Sequence, residues 1–335
     1  VAAALAAGGG SLGVEGLVPP QVLRNLSDRS FDKRKVGAQE VERIVRKMAG
    51  EGATGALTRL LTYLAAEYAC SGNSNNRKGG LIALASAGIG LGAATGNYLD
   101  IMVPAVLKSF NDADVRVRYY ACESLFNIAK VARNPILRWF SEIFIGVCKL
   151  VSDTDVDVKN GASLLDRMLK EIVLEGDTLD MERFVPLLRA HMSIQNPYVR
   201  QLLVGWITTL DSVPGIDMVD HMPNLLEGLF DMLSDGNREI RQQAYGALSN
   251  FLDQISKVPP RTCWGGGGGG PPPRFYSSPP PPPPVQNPAG GVWAPRGPPP
   301  QGGPPPPNTG SAKTKFYPPA AGGGAGPTPP RRGTQ

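Results

Sequence analysis

Gly88-Ile89-Gly90-Leu91-Gly92-Ala93 has the glycine spacing of a phosphate-binding turn, GxGxx[G/A]. Asp112 follows at about the distance at which a ribose-binding acid is expected. That chemistry needs a strand before the glycines and a helix after them, so that free backbone N–H groups face a pyrophosphate. Arg77 to Ala87 is patterned as a helix instead, so the small residues serve close helix packing or a loosened helix end. The two histidines, His191 and His221, have no Cys or carboxylate at metal spacing around them. His191 closes Leu187-Leu188-Arg189-Ala190-His191, where a cation suits the helix dipole. No GxSxG, P-loop, HExxH or kinase-type run occurs, and Cys70, Cys122, Cys148 and Cys263 lie too far apart for a CxxC pair. The residues therefore predict no catalytic centre, no cofactor and no metal, with reduced thiols in a cytosolic protein.

What the chain does carry is arrayed polar chemistry. Four segments open alike: Asp114-Val115-Arg116-Val117-Arg118, Asp155-Val156-Asp157-Val158-Lys159, Asn196-Pro197-Tyr198-Val199-Arg200 and Asn237-Arg238-Glu239-Ile240-Arg241. Their last residues, all basic, recur every 41 positions, and one more step back lands on Arg77. A looser copy, Arg34-Lys35-Val36-Gly37-Ala38, lies 43 residues earlier. Behind each basic residue runs an apolar stripe of helical spacing, such as Val117, Ala121, Leu125, Ile128 and Ala132, or Val158, Ala162, Leu165 and Leu169. Six two-helix units of about 40–47 residues predict an all-α, HEAT/armadillo-type α-solenoid over residues 17–257. Pro104, Asp112 and Arg118 match the proline, acid and arginine of the HEAT motif, and the acid-to-base spacing recurs at Asp153/Lys159 and Asp235/Arg241. The acid is expected to accept from free N–H groups at the second helix's start, and the base to reach a neighbouring acid. Asp112, Arg118, Asp153, Lys159, Arg200, Asp235 and Arg241 thus form a predicted structural ladder, broken on the acid side at Ile194, where Asn196 caps instead.

On the third unit's second helix, Arg116, Tyr119, Glu123 and Lys130 share a face roughly opposite the apolar stripe; the next unit places Asp157, Asn160, Leu164 and Glu171 there. If second helices line a concave groove, these residues face a partner; otherwise they form a merely solvated helix face.

Composition bounds the rest. Of 33 prolines, 25 fall in Pro259–Gln335, with 17 glycines and no Leu, Ile, Met, Asp or Glu. Such a stretch cannot bury enough apolar surface to offset backbone ordering, so residues 258–335 are predicted disordered, as is the segment 1–16. The tail holds seven Lys and Arg and no acid, which leaves 27 Lys and Arg against 29 Asp and Glu on the body. By charge the body is no nucleic-acid binder. Pro279–Pro284 and Pro304–Pro307 favour polyproline II and could dock SH3 or WW domains; Phe275, Tyr276, Trp293 and Tyr317 among arginines could touch RNA; a third reading is that Pro259 onward is not native coding sequence. The apolar run Leu81–Ala94 falls short of the ~20 residues of a membrane span. A chain beginning at Val1, with no secretory pattern, reads as a fragment.

Ordered segments add a resemblance to this reading. They are Lys33-Arg34-Lys35-Val36 with Glu40-Val41-Glu42, Arg77-Lys78-Gly79-Gly80-Leu81-Ile82, Asn111-Asp112-Ala113-Asp114 and Arg118-Tyr119-Tyr120-Ala121-Cys122-Glu123. Val158-Lys159-Asn160-Gly161-Ala162-Ser163-Leu164-Leu165-Asp166-Arg167, Phe184-Val185-Pro186-Leu187-Leu188-Arg189 and Leu210-Asp211-Ser212-Val213-Pro214 complete the set. Together they resemble the N-terminal HEAT region of the ArPIKfyve family, vacuole-morphology scaffolds of the PIKfyve lipid-kinase complex, over about residues 17–257. The resemblance implies a non-enzymatic scaffold. In that family it holds a phosphatidylinositol 3-phosphate 5-kinase (PIKfyve) and a Sac-domain phosphatase together, so that phosphatidylinositol 3,5-bisphosphate is made and removed. It further implies a cytoplasmic protein, peripheral on endosomal and vacuolar membranes through its partners, with kinase contacts on the N-terminal repeats. Phosphatase contacts and self-association lie in a C-terminal helical region of the family. Gly/Pro sequence stands in that place here, so the expectation is kinase contact without those two functions. The alternative is a HEAT-repeat adaptor for nuclear transport or RNA-processing complexes that uses the basic tail.

Overall fold

The computed structural model describes residues 16–176, 179–213 and 215–257, all within one compact unit. The disordered-segment readings for 1–15 and 258–335, with the tail's docking motifs and Cys263, lie outside the described residues. Among the described residues there are helices and turns and no β-strand.

Six helix pairs follow one another. Helix α1 (Pro20–Leu26) pairs with α2 (Phe31–Gly50). Helix α3 (Thr54–Tyr63), prolonged by a π-helical turn over Leu64–Ala69, pairs with α4 (Ser74–Leu91). Two pairs open with a 3₁₀ segment: Gly92–Tyr98 runs into α5 (Leu99–Ser109), paired with α6 (Val115–Ala132), and Asn134–Trp139 runs into α7 (Phe140–Leu150), paired with α8 (Val156–Glu175). Helix α9 (Met181–Met192) pairs with α10 (Pro197–Asp211). The sixth first helix is broken into α11 (Met218–His221), a 3₁₀ turn at Met222–Asn224 and α12 (Leu226–Leu233), and it pairs with α13 (Arg238–Lys257). The chain is an all-α solenoid of the HEAT/armadillo type.

The turn between paired helices is built from two acids with different jobs. Asp112, Asp153 and Asp235 each accept the backbone N–H of the residue two positions on, at 2.8, 3.0 and 2.7 Å. That next residue is the N-cap: Asp114 accepts from Arg116 N, Asp155 from Val158 N, Asn196 from Tyr198 N and Asn237 from Glu239 N. The sequence reading gave the helix-start N–H groups to the first acid. The structure gives them to the second, because only a residue at the N-cap itself has its side chain beside the first free amides.

The stripes are the core. Val117, Ala121, Leu125, Ile128, Val158, Ala162, Leu165 and Leu169 are all buried, as are Ile240, Ala244, Ala247 and Phe251 on α13. Second helices stack along their length from α2 through α4 and α6 to α8, while first helices touch each other only sparsely. The close stacking rests on glycine in α4. A Cβ on Gly79 would lie 1.9 Å from the Leu26 carbonyl oxygen, and one on Gly90 would lie 2.7 Å from the Glu42 oxygen. Gly92, at φ +58°, then ends the helix. Both bland readings of the Gly88–Ala93 run therefore hold, at different residues, and the element preceding it is a helix. By length and apolarity Ser74–Ser109 qualifies as a membrane span (mean hydropathy 1.4), more than Leu81–Ala94 alone suggests, and 61% of that window is buried within the stack.

Candidate docking face and the polar ladder

The ladder arginines tie their own turns, and three of them, Arg77, Arg118 and Arg200, also cross to the next repeat. One end ties the carbonyls of its own turn: Arg34 Nη1 donates to Asp28 and Arg29 O, Arg77 Nη1 to Ser71 and Gly72 O, Arg118 Nη1 to Asp112 O and Arg241 Nη1 to Asp235 and Gly236 O, all within 2.6–3.0 Å. The other end crosses to the next repeat. Arg77 meets Asp112 at 3.0 Å, Arg118 grips Asp153 through two bonds of 2.7 and 2.9 Å, and Arg200 meets Asp235 at 2.6 Å and also Asp231. A guanidinium has five donors in a planar fork, which lets one side chain bridge both sites. Arg200 is only 2% exposed, yet its charge is met by two acids and the Ile194 carbonyl, so its burial is compensated. The Arg118 contact holds the Asp153 carboxyl below its usual range; the Asn237 amide, followed by Arg200, does the same for Asp235.

Lys159 departs from the predicted ladder. Its facing position is Ile194, which offers no acid, and its ammonium lies 4.8 Å over the Tyr198 ring instead. Among the described residues no ion pair joins the fourth helix pair to the fifth. Arg241 holds its own turn and meets no further acid among the described residues.

The predicted partner-facing residues are placed unevenly. Arg116 and Asp157 pair with each other across α6 and α8 at 3.0 Å, while Lys130 and Asn160 are exposed and Leu164 is half-buried. Tyr119, read as facing outward, is 2% exposed. Its ring packs edge-on against Tyr120 at 5.5 Å, and the α8 backbone passes close by at Gly161. Glu123 is half-buried, and its Oε2 is sealed from solvent without a hydrogen-bond partner. Burial pushes its carboxyl up to about 7. The error has a simple cause: a second helix inside a stack is covered by its own first helix and by both neighbouring second helices, so the side opposite its stripe is not all solvent. Gly161, the thin spot on α8 that admits Cys122 and Tyr119, was the visible signal.

The remaining chemistry-bearing residues are inert in this setting. Burial pushes the Cys122 and Cys148 thiols up to about 12, which suppresses the thiolate. His191 Nδ1 lies 2.8 Å from the Leu187 carbonyl within its own helix. No group of His, Cys, Asp and Glu able to hold a metal lies among the described residues.

Stacked helix pairs bound by arginine rungs define a helical-repeat protein. The comparisons narrow this. A family model described as the Vacuolar 14 Fab1-binding region matches residues 75–171. The chain is 50% identical over 242 residues to the Protein VAC14 homolog of Arabidopsis thaliana, covering 72% of this chain and 33% of that protein. It is 32% identical over 277 residues to Vacuole morphology and inheritance protein 14 of Saccharomyces cerevisiae, covering 71% of this chain and 32% of the relative. The chain thus spans about a third of the length of these relatives. Together the matches support membership of the VAC14 family. Among solved structures, a computationally designed armadillo repeat protein for modular peptide recognition is similar at 17% identity and a TM-score of 0.42, over 69% of this chain and 99% of that one.

Proposed function

We propose that this chain is the kinase-docking portion of a non-enzymatic scaffold for a Fab1/PIKfyve-type phosphatidylinositol 3-phosphate 5-kinase. It supports synthesis of phosphatidylinositol 3,5-bisphosphate on endosomal or vacuolar membranes, where it sits peripherally through its partners. The observation that carries the reading is the position of the Fab1-binding match: residues 75–171 run from α4 to α8. In this block α4, α6 and α8 stack in unbroken succession and two successive rungs, Arg77–Asp112 and Arg118–Asp153, lock the pairs together. A scaffold needs that property, since a surface held rigid before binding spends little free energy on ordering when a partner arrives. Within the block, Ile89, Ile145 and Val156 are large apolar side chains left exposed, and Arg116 with Asp157 forms a charged pair across α6 and α8. Contact with a Sac-domain phosphatase and self-association belong to the whole family scaffold and are not part of this proposal.

The test is direct association of the purified full chain with the purified kinase. Retention of the kinase at micromolar chain supports the reading. A chain that is helical, melts cooperatively and still retains no kinase overturns it.

A further inference from the structure

Between α8 and α10 the stack opens. These two second helices touch along far less of their length than α2 and α4, α4 and α6, or α6 and α8. The cause lies in residue size at equivalent positions of the 41-residue register. Ala83 and Ser124 give way to Leu165 and then Trp206, and Gly88 and Ala129 give way to Lys170. Trp206 and Lys170 meet at the junction: Trp206 Nε1 donates to the buried Asp166 at 2.7 Å, and Lys170 Nζ lies 2.8 Å from the other Asp166 oxygen. The wedge leaves a cleft of about 390 Å³, lined among others by Lys159, Asn160, Ser163, Tyr198 and Gln201.

The charge inside this cleft does not balance internally. Asp166 is satisfied on both oxygens, so the Asp166–Lys170 pair is neutral. Lys159 is the ladder cation whose neighbouring acid is replaced by Ile194, and an aromatic ring is its only partner among the described residues. Around it stand the Asn160 amide and, on the opposite wall, the Gln201 amide, whose Nε2 donates to Glu239 Oε2 at 3.0 Å and whose oxygen is left facing the cleft, and the Tyr198 ring, half exposed, with Val156 and Ile194 also exposed nearby. Side-chain amides carry a donor and an acceptor side by side, the same pair a peptide unit presents.

We infer that the α8/α10 cleft binds an extended acidic segment of a protein partner, whose carboxylate takes the place at Lys159 that Asp112, Asp153 and Asp235 fill at the other rungs. The Asn160 amide and the Gln201 carbonyl oxygen hold the segment's backbone, and Tyr198 and Val156 cover its apolar side chains. The site goes beyond the kinase reading and stands without it, since one wall of the cleft, Tyr198, Gln201 and Leu202, lies on α10, past the matched region.

The experiment uses the full chain with its lysines reductively dimethylated by ¹³C, the Lys159 resonance being assigned from its loss in Lys159→Gln. The probes are the peptide Ser-Gly-Glu-Leu-Glu-Gly-Ser, its Gln-for-Glu counterpart and inorganic phosphate. The acidic peptide is expected to move the Lys159 signal saturably, with a Kd below about 1 mM, and to leave exposed Lys108 in place. The Gln peptide should bind at least about tenfold more weakly. Lys159→Glu, or Lys159→Gln where the charge reversal disturbs the fold, should abolish the tryptophan fluorescence change on peptide addition. The inference is overturned if Lys159 and Lys108 respond alike, or if the Gln peptide binds as tightly. It is equally overturned if phosphate at the same concentration moves Lys159 as far, which would make the cleft a general anion site.

Discussion

Glu123 and Tyr119 sit one helical turn apart on α6 and show what a single side chain's surroundings decide. Glu123 is a carboxyl pushed up to about 7 by burial, with one oxygen unpaired, whereas an unfolded glutamate titrates near 4.5. Between those values the folded chain holds a proton that the unfolded chain has released, so stability falls as pH rises from about 4.5 to 7 and levels off above. The span amounts to ~3 kcal/mol. Asp166, raised by its burial, tilts the same way; Asp153 and Asp235, held low, act in a separate window and lose their contribution only as pH falls below about 4. Comparing Glu123→Gln with the parent isolates the one group. The variant should melt higher at pH 8 and lose the Glu123 part of the slope between pH 5 and 7; parallel melting curves for the two proteins would refute this. Tyr119→Ala should cost about 3 kcal/mol or more in denaturant unfolding, because a ring that is 2% exposed leaves a cavity. A Tyr119 on a partner-facing or solvated face, as its spacing suggests, would instead leave folding nearly intact. Helical periodicity identifies the stripe that faces a helix's own partner, and it did so correctly for Val117 through Ala132; it carries no information about the neighbouring repeats that close over Tyr119.

Helix α4 makes the same point one level up. It was legible as a second helix from the 41-residue step back to Arg77, even though its Gly/Ala-rich sequence carries almost no stripe of its own. What the sequence did not disclose is why it can afford so little side chain. Its glycines let the backbones of α1 and α2 come into contact, and the dense, flat packing that results replaces the usual ridge-and-groove fit. Gly79→Ala should therefore lower stability by ~3 kcal/mol or more, since the new methyl meets the Leu26 carbonyl rather than a side chain that can turn aside. Gly246→Ala, mid-helix in α13 with nothing within 4 Å of the added carbon, should do the reverse and raise it by about 0.5–1 kcal/mol. The pair of substitutions separates packing from propensity: equal and favourable effects on the melting temperature would mean that α4 is not seated against Leu26 as described.

Across the whole stack, the rungs divide the repeats into a tied block and a looser junction. Arg77–Asp112 and Arg118–Asp153 bind the second, third and fourth pairs and Arg200 binds the fifth to the sixth, while among the described residues neither the first-to-second nor the fourth-to-fifth junction has a rung. The latter break was written in the sequence as Ile194 and Lys159, and the unbalanced cation follows from it, at the opening that Trp206 and Lys170 wedge between α8 and α10. A repaired junction can be specified from the other rungs. Position 194 precedes the N-cap Asn196 by two, as Asp153 precedes Asp155 and Asp235 precedes Asn237, so an aspartate there would accept the Asn196 N–H and face position 159. Arginine at 159 would then reach it with one end of its fork while holding the Asp153 turn with the other. Lys159→Arg or Ile194→Asp alone should change stability little, by about 0.5 kcal/mol in either direction. Together they should couple favourably by ~0.5–1 kcal/mol in a double-mutant cycle, because the pair is bidentate and position 159 is part-buried although 194 is exposed. The repaired protein should also lose its response to the acidic peptide, its cation now being met from within. Additive effects of the two substitutions would show that positions 159 and 194 do not meet across the junction and that the absent acid is not what leaves Lys159 unpaired.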